Sequence, residues 1–374
     1  MTNTTTRPTY LQVDLTQLRR NLINIRKKVH PAKVMLLMKA NAYGHGVDGV
    51  APYLAPLADY MGVAIVDEGI HLRGLGITTP IIVLGGILPE ELSHFIQHSL
   101  TVSISSMELL DAAEKIAQAA GIRLKAHLKI DTGMERIGVH DYEAESFLEK
   151  SLACSNLEIE GIYTHFANSE TADPSHARLQ LARFREVLAY YESKNALPPL
   201  RHMANSGAIL QLPESHLDMV RAGVLLYGIY PGPEVQRTVD VAPALKWVTQ
   251  VVHSKITLPG RPVSYGSLWS PDRPVRIFTI PCGYGDGYFR RMTNHARVIV
   301  DGKMYDQVGR ICMDQFMANA QDDDVKVGDE VVLLGKDPFG LQITAGDLAE
   351  WAGTNEYEVL TNISARVPRR FVTR

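Results

Sequence analysis

Cysteine is scarce in this chain, with Cys154, Cys282 and Cys312 the only three among 374 residues. An odd number at wide spacing builds neither a disulfide framework nor a paired zinc knuckle, so reduced thiols are expected and no metal. Charge of one sign is also lacking: 38 Lys and Arg stand against 41 Asp and Glu, a formal net charge of -3. Without a dense basic run there is no surface to neutralise many phosphates, which points away from nucleic acid and towards a small-molecule partner. No apolar stretch is long enough to cross a bilayer, and the opening MTNTTTRPTY has neither a basic n-region nor an apolar h-region. The expectation is a cytoplasmic protein without a membrane partner. Low complexity is confined to the short run Thr4 to Thr6, read as a frayed terminus, and there is no internal repeat.

What the sequence does have is 45% hydrophobic and 21% charged residues, enough to bury a large core without staples. From about residue 14 to 228, short apolar runs alternate with segments of helical period, the pattern of repeated βα units. The strand candidates are VMLLMK, YMGVAIV, PIIVLGG, LTVSIS, KAHLKI, IEGIYTHF, LRHMANS and DMVRAG. Helices are expected after Asp14, over Met107 to Ala120 and over Ser175 to Lys194. Eight units in roughly 220 residues match a closed (β/α)8 TIM-type barrel better than a doubly wound sheet. After Pro231-Gly232-Pro233 the rhythm becomes strand-like, with turn signals at Asp301-Gly302 and Lys326-Val327-Gly328. The predicted architecture is α/β: a barrel over 10–240, then a mostly β domain over 241–374 that also takes an N-terminal strand from 1–13. AGDLAEWAG reads as a late helix and RVPRRFVTR as a closing strand.

In a barrel of this kind chemistry collects at the C-terminal ends of the strands. Lys39 ends the first. A strand-end lysine is more often a solvated charge, but one behind an apolar run is partly desolvated, which lowers its pKa and makes a neutral amine available for Schiff-base formation. Lys129, Asp131 and Thr132 end the fifth strand, His165 and Asn168 the sixth, Asn205, Ser206 and Gly207 the seventh, and Arg221, Ala222, Gly223 and Val224 the eighth. Small and hydroxyl residues after strands seven and eight suit a phosphate, although alone they read equally as turn residues. Two weaker signals carry nothing: His94 and His98 lack the glutamate of a zinc helix, and CGYGDGY lacks the spacing and βαβ context of a dinucleotide loop.

The stretch VMLLMKANAYGHG resembles the signature around the cofactor lysine of alanine racemases, two-domain enzymes with a barrel and a β domain. The resemblance continues through KIDTGMERIG, THFANSE, ANSGA, VRAGVLLYG, VSYGS, PCGYGDGY, GRICMDQ and NEYEVLTNISARVPR, covering nearly the whole chain in order. It implies a homodimer that interconverts L- and D-alanine for peptidoglycan with pyridoxal 5'-phosphate. On that resemblance Lys39 carries the cofactor as a Schiff base. Tyr43, Ser206, Gly223, Val224 and Tyr357 hold its phosphate, with Asn205 beside them. Arg221 donates to the pyridine nitrogen, Arg136 lies near the phenolic oxygen and the substrate, and His165 supports the catalytic tyrosine. Tyr265 is that tyrosine, contributed by the β domain to the other subunit's barrel, with Tyr284, Cys312, Met313 and Asp314 lining the same entrance. For the aromatic and Met positions taken alone, ordinary packing is the better reading. Lys129 matches a lysine that is carbamylated in the family and would then pair with Arg136, unless a carboxylate such as Asp131 serves it instead.

The implied reaction requires two opposed proton-transfer groups on the two faces of a planar carbon, Tyr265 on the L face and Lys39 on the D face. Three other readings compete. A broad-specificity amino-acid racemase of the same fold would differ in the room left for a side chain. A decarboxylase with a related barrel is disfavoured by the C-terminal segments. A non-catalytic pyridoxal-phosphate-binding protein would need only the barrel.

Overall fold

A computed structural model describes residues 6–373. The reading of Thr4 to Thr6 as a frayed end therefore falls mostly outside the described residues, as does the start of the N-terminal strand. The chain divides into two compact units, one of residues 18–42 and 47–242, the other of 1–17, 43–46 and 243–374.

The first unit is a parallel (β/α)8 barrel, and all eight strand candidates form strands: Lys33–Leu37, Tyr60–Val63, Ile81–Val83, Val102–Ile104, Leu124–Asp131, Leu157–Tyr163, Leu200–His202 and Met219–Ala222. The eighth, first, second and third strands pair in that order, as do the fourth to seventh. A parallel bridge from Ile82 to Thr101 joins the third to the fourth. The ring closes where Asp218 N–H donates to Arg201 O and Arg221 N–H to Ala204 O. Closure leaves no free edge, so the polar ends of the strands can serve the site.

The surrounding helices follow local rules. Leu15–Val29 starts where the Asp14 carboxylate accepts the Gln17 N–H at 2.9 Å, and buries Leu18, Leu22, Ile25 and Val29 at helical spacing. Met107–Ala120 is capped by Ser106 and stopped by Gly121 at φ 66°, a left-handed position that glycine takes without strain. Ser175–Ser193 buries Leu181, Phe184, Leu188 and Tyr191.

The second unit is built on a ten-stranded sheet. Tyr10–Asp14 lies within it, antiparallel to Leu245–Gln250 and parallel to Arg369–Val372. The Asp301-Gly302 turn joins Arg297–Val300 to Lys303–Val308, both central residues at positive φ, the geometry of a two-residue hairpin. Helices Ala345–Ala352 and Glu356–Thr361 belong to this unit, the second of them unanticipated from the sequence. Among the described residues no helix is long and apolar enough to cross a membrane.

Candidate active site

Lys39 follows the first barrel strand and opens a single turn of left-handed helix. Ala40, Asn41, Ala42 and Tyr43 take φ values of 51°, 56°, 54° and 50°. Each such residue costs about 1–2 kcal/mol, so the turn is a strained segment held by its surroundings. Glu68 Oε1 accepts the Ala40 N–H at 2.6 Å, Met38 O accepts that of Ala42 at 3.0 Å, and Asn41 Oδ1 accepts that of Val47 at 2.8 Å. Nothing in the sequence announced this conformation, because alanine does not favour it.

The barrel brings together Lys39, Lys129, Arg136, His165 and Arg221. Burial lowers the Lys39 pKa, and Arg136 and Arg221 add repulsion that Glu68 only partly offsets. Lys129 is 2% exposed and more strongly affected: burial first, then Arg221, bring its pKa down to about 7. Its Nζ donates to Ile130 O at 2.8 Å and sits 5.3 Å from the centre of the Tyr163 ring. Asp131 does not serve it by hydrogen bond, since that carboxylate accepts the backbone N–H groups of Gly133, Met134 and Arg136. Arg136 lies exposed on this loop.

Arg221, 2% exposed, ends the eighth strand. Its Nη1 donates to His202 Nδ1 at 2.9 Å, and its Nη2 to Thr164 O, Met203 O and His165 Nδ1 at 3.0, 3.0 and 2.8 Å. Both terminal nitrogens are thereby held in place, and the Nε–H remains a further donor, beside the second N–H of Nη1. Burial and the Arg221 charge hold His165 well below the ordinary histidine range, so its ring is neutral.

Beside these cations Ser206 Oγ accepts the N–H groups of Gly223 at 3.2 Å and Leu225 at 3.3 Å, with Val224 between them. Asn205 caps the next helix, its Oδ1 accepting from Ala208 N at 3.1 Å and Ser169 Oγ at 2.6 Å. Hydroxyl, backbone donors and an excess of positive charge make a setting for an anion. An amine of lowered pKa, a fixed guanidinium donor and an anion cradle are the donor set that pyridoxal phosphate requires for its aldehyde, ring nitrogen and phosphate. The residues present fit that cofactor. Among the described residues there is no cluster suited to a metal.

The remaining candidates lie in the second unit, in two places. Tyr43 and Tyr357 have ring centres 6.2 Å apart at an angle of 52°. Gly44, next to them, packs so closely that a Cβ would lie 2.0 Å from Leu360 O. Tyr265 sits 72% exposed on a turn in which Ser264, Gly266 and Ser267 all have positive φ. Ser264 Oγ donates to Arg310 O at 2.6 Å and lies 3.3 Å from Cys312 Sγ. Tyr284 N–H and Gly285 N–H donate to Cys312 O and Met313 O at 3.0 and 2.9 Å. These bonds gather Tyr265, Tyr284 (42% exposed), Cys312 and Met313 (52% exposed) on one cluster of loops. Asp314 is held at its edge by Arg366 Nη2 at 2.7 Å.

Two buried histidines, His127 and His202, and the half-buried Glu160 escaped the sequence reading. A signal for the first existed, since Lys125, His127 and Lys129 alternate with Leu124, Ala126 and Leu128 and so share the face that looks into the barrel.

Comparison with known proteins gives one result. Residues 13–231 match the alanine racemase N-terminal domain and residues 244–371 the alanine racemase C-terminal domain. An alanine racemase of Carboxydothermus hydrogenoformans is 43% identical over 98% of this chain and 100% of its own length. The solved alanine racemase of Clostridium difficile 630 superposes with a TM-score of 0.93 at 36% identity, covering 99% of this chain and 97% of that one. A histidine racemase from Leuconostoc mesenteroides gives a TM-score of 0.90 at 29% identity, over 99% of this chain and 100% of that one.

Proposed function

The chain belongs to the alanine racemase family, and on that premise we propose that Lys39 and Tyr265 are the two proton-transfer groups that interconvert L- and D-alanine. The observation that carries the reading is the barrel mouth itself, where a Lys39 amine of lowered pKa stands beside an Arg221 whose every terminal nitrogen is fixed. Pyridoxal phosphate, when bound, supplies an aldehyde to join an amine and a conjugated ring that takes up the electron pair left at Cα. Lys39 holds it and is the group that moves a proton on the D face of the substrate. Tyr265 is the corresponding group on the L face. Arg221 presents a permanent donor towards the ring nitrogen, which keeps positive charge away from that atom. Ser206, Gly223 and Val224, with Asn205 in support, serve the phosphate, and Tyr43 and Tyr357 act with them. Arg136 serves the phenolic oxygen and the substrate carboxylate; His165, neutral, supports the tyrosine.

Exposure of Tyr265, Tyr284 and Met313 supports a homodimer in which these loops complete the site of a second copy of the chain. Lys39→Ala and Tyr265→Ala proteins would then each be nearly inactive. A reassorted mixture would regain roughly a quarter of the wild-type activity, since half the dimers carry one intact site of two. The neutral amine available on Lys129 near pH 7 supports a carbamate there, paired with Arg136. A carbamate resonance after equilibration with 13C-bicarbonate, lost in Lys129→Met, checks it.

The test of function is direct. The protein purified with pyridoxal phosphate is expected to convert L-alanine to D-alanine, measured beside serine, lysine, arginine and histidine. Comparable rates on the larger amino acids would favour the broad-specificity reading, which the likeness to a histidine racemase keeps in view. Absence of any racemisation would leave a cofactor-binding protein.

A further inference from the structure

The inside of the barrel holds a line of polar groups running from the site to its opposite end. His202 Nδ1 accepts from Arg221 Nη1 at 2.9 Å, and His202 Nε2 lies 2.8 Å from His127 Nδ1. His127 Nε2 in turn lies 3.4 Å from Glu160 Oε1, within ion-pair distance but not aligned for a hydrogen bond, and it has no hydrogen-bond partner among the described residues. Both rings are 0% exposed. Glu160 also meets the hydroxyls of Tyr60 and Thr101, and Lys125 Nζ at 3.0 Å.

The direction of every bond in this line is forced. A guanidinium can only donate, so His202 Nδ1 must carry a lone pair. Burial and the Arg221 charge hold His202 well below the ordinary histidine range, so the ring is neutral and its proton sits on Nε2. That proton can only be donated to His127 Nδ1, which must again be a lone pair. His127, also kept neutral by burial, therefore carries its proton on Nε2, facing the Glu160 carboxylate. A protonated His127 would place an N–H on Nδ1 against the N–H of His202, and reversing His202 would set an N–H against Arg221. One arrangement survives.

The surrounding residues are shaped for it. A Cβ on Gly161 would lie 2.5 Å from the His127 ring, although the glycine has an ordinary φ, so this position is glycine for close approach alone. Tyr163 stacks flat on His202 with ring centres 4.7 Å apart, and Tyr60 meets His127 edge-on at 5.6 Å. The other hydrogen-bond partners of Arg221 are neutral, namely two carbonyls and His165.

We propose that Glu160 is a positioning residue for Arg221, acting through the one-way relay Arg221 to His202 to His127 to Glu160 that runs inside the barrel. The carboxylate anchors the far end, fixes the tautomer of both imidazoles, and so presents a lone pair that holds the guanidinium in place. This rests on Arg221 being the ring-nitrogen partner proposed above.

Ring-nitrogen NMR of 15N-histidine protein, with His127 and His202 identified by single substitution, tests the relay by itself. Both rings are expected as neutral Nε2–H tautomers at neutral pH; a proton on Nδ1 of either overturns the relay even if no variant folds. Glu160→Leu, which removes the acceptor, is expected to disturb the His127 tautomer and to lower kcat about tenfold while KM stays within about twofold. Glu160→Gln keeps a carbonyl acceptor and is expected to restore both tautomers and most of kcat. Wild-type tautomers as stated, with an unchanged kcat in a folded Glu160→Leu protein, overturn the positioning role and point instead to the assignment of Arg221. Unchanged tautomers in Glu160→Leu overturn the anchoring role of the carboxylate.

Discussion

Within the barrel Lys129 and Arg221 are each 2% exposed and fixed by directional bonds or ring contacts, whereas on the loops of the β-rich unit Tyr265 is 72% exposed. Burial lets the barrel tune its groups: two lysine amines and two imidazoles are shifted downward by desolvation and by the neighbouring guanidinium. The loops contribute by position. The difference teaches where stability and activity are coupled. A barrel residue should affect both when replaced, and a loop residue only activity.

The largest effect should follow loss of the amine. Lys39→Ala is expected to reduce racemisation by about 10⁴-fold or more and to abolish the bound cofactor's visible absorbance, read by chiral chromatography and spectroscopy. Retention of both would break the assignment. Arg221→Leu should show the coupling, because it strands the Nδ1 atoms of His202 and His165 and two carbonyls; a stability loss of about 3–5 kcal/mol is expected by urea unfolding. A loss under about 1 kcal/mol would show that the barrel interior is less interdependent than its bonds indicate.

Acid should expose the same interdependence. Burial pushes the Glu160 carboxyl up, but His127, Tyr60 and Lys125 outweigh it and hold its pKa at about 2. A depressed pKa stabilises the fold above the unfolded value of 4.5, and that contribution fades as pH falls from about 5 towards 2. The stability gap between wild type and Glu160→Gln, on the order of 3 kcal/mol near neutrality, should therefore narrow progressively below pH 5. A gap independent of pH would remove the carboxylate charge from the account. The smallest effect compares two left-handed glycines: Gly44→Ala collides with Leu360 O and should destabilise by more than about 2 kcal/mol, while Gly121→Ala, open to solvent, should cost about 1 kcal/mol.

Much of the fold was legible because it rests on local periodicity. Eight apolar runs became eight strands, Asp14 capped the helix that follows it, and Asp301-Gly302 made its hairpin. The left-handed turn after Lys39 was not legible, since tertiary contacts such as Glu68 to Ala40 impose it against local preference. Motif residues of the candidate site could be placed on strand ends in advance, and the barrel does bring Lys39, Arg221 and His165 into mutual electrostatic reach. The relay behind them stayed hidden. Glu160 sits at a register shift between the fifth and sixth strands, where simple alternation no longer says which residues face inward.

The central claim is that Lys39 and Tyr265 work from opposite faces of one carbon. The most direct measurement is Cα hydrogen exchange in D2O by Tyr265→Phe, followed by NMR separately from L- and D-alanine. With stability within about 0.5 kcal/mol of wild type, the variant is expected to lose racemisation by about 10²- to 10⁴-fold. It should still exchange the Cα hydrogen of D-alanine, through Lys39, while exchange from L-alanine collapses. Equal retention from both enantiomers, or equal loss from both, would contradict the two-faced assignment.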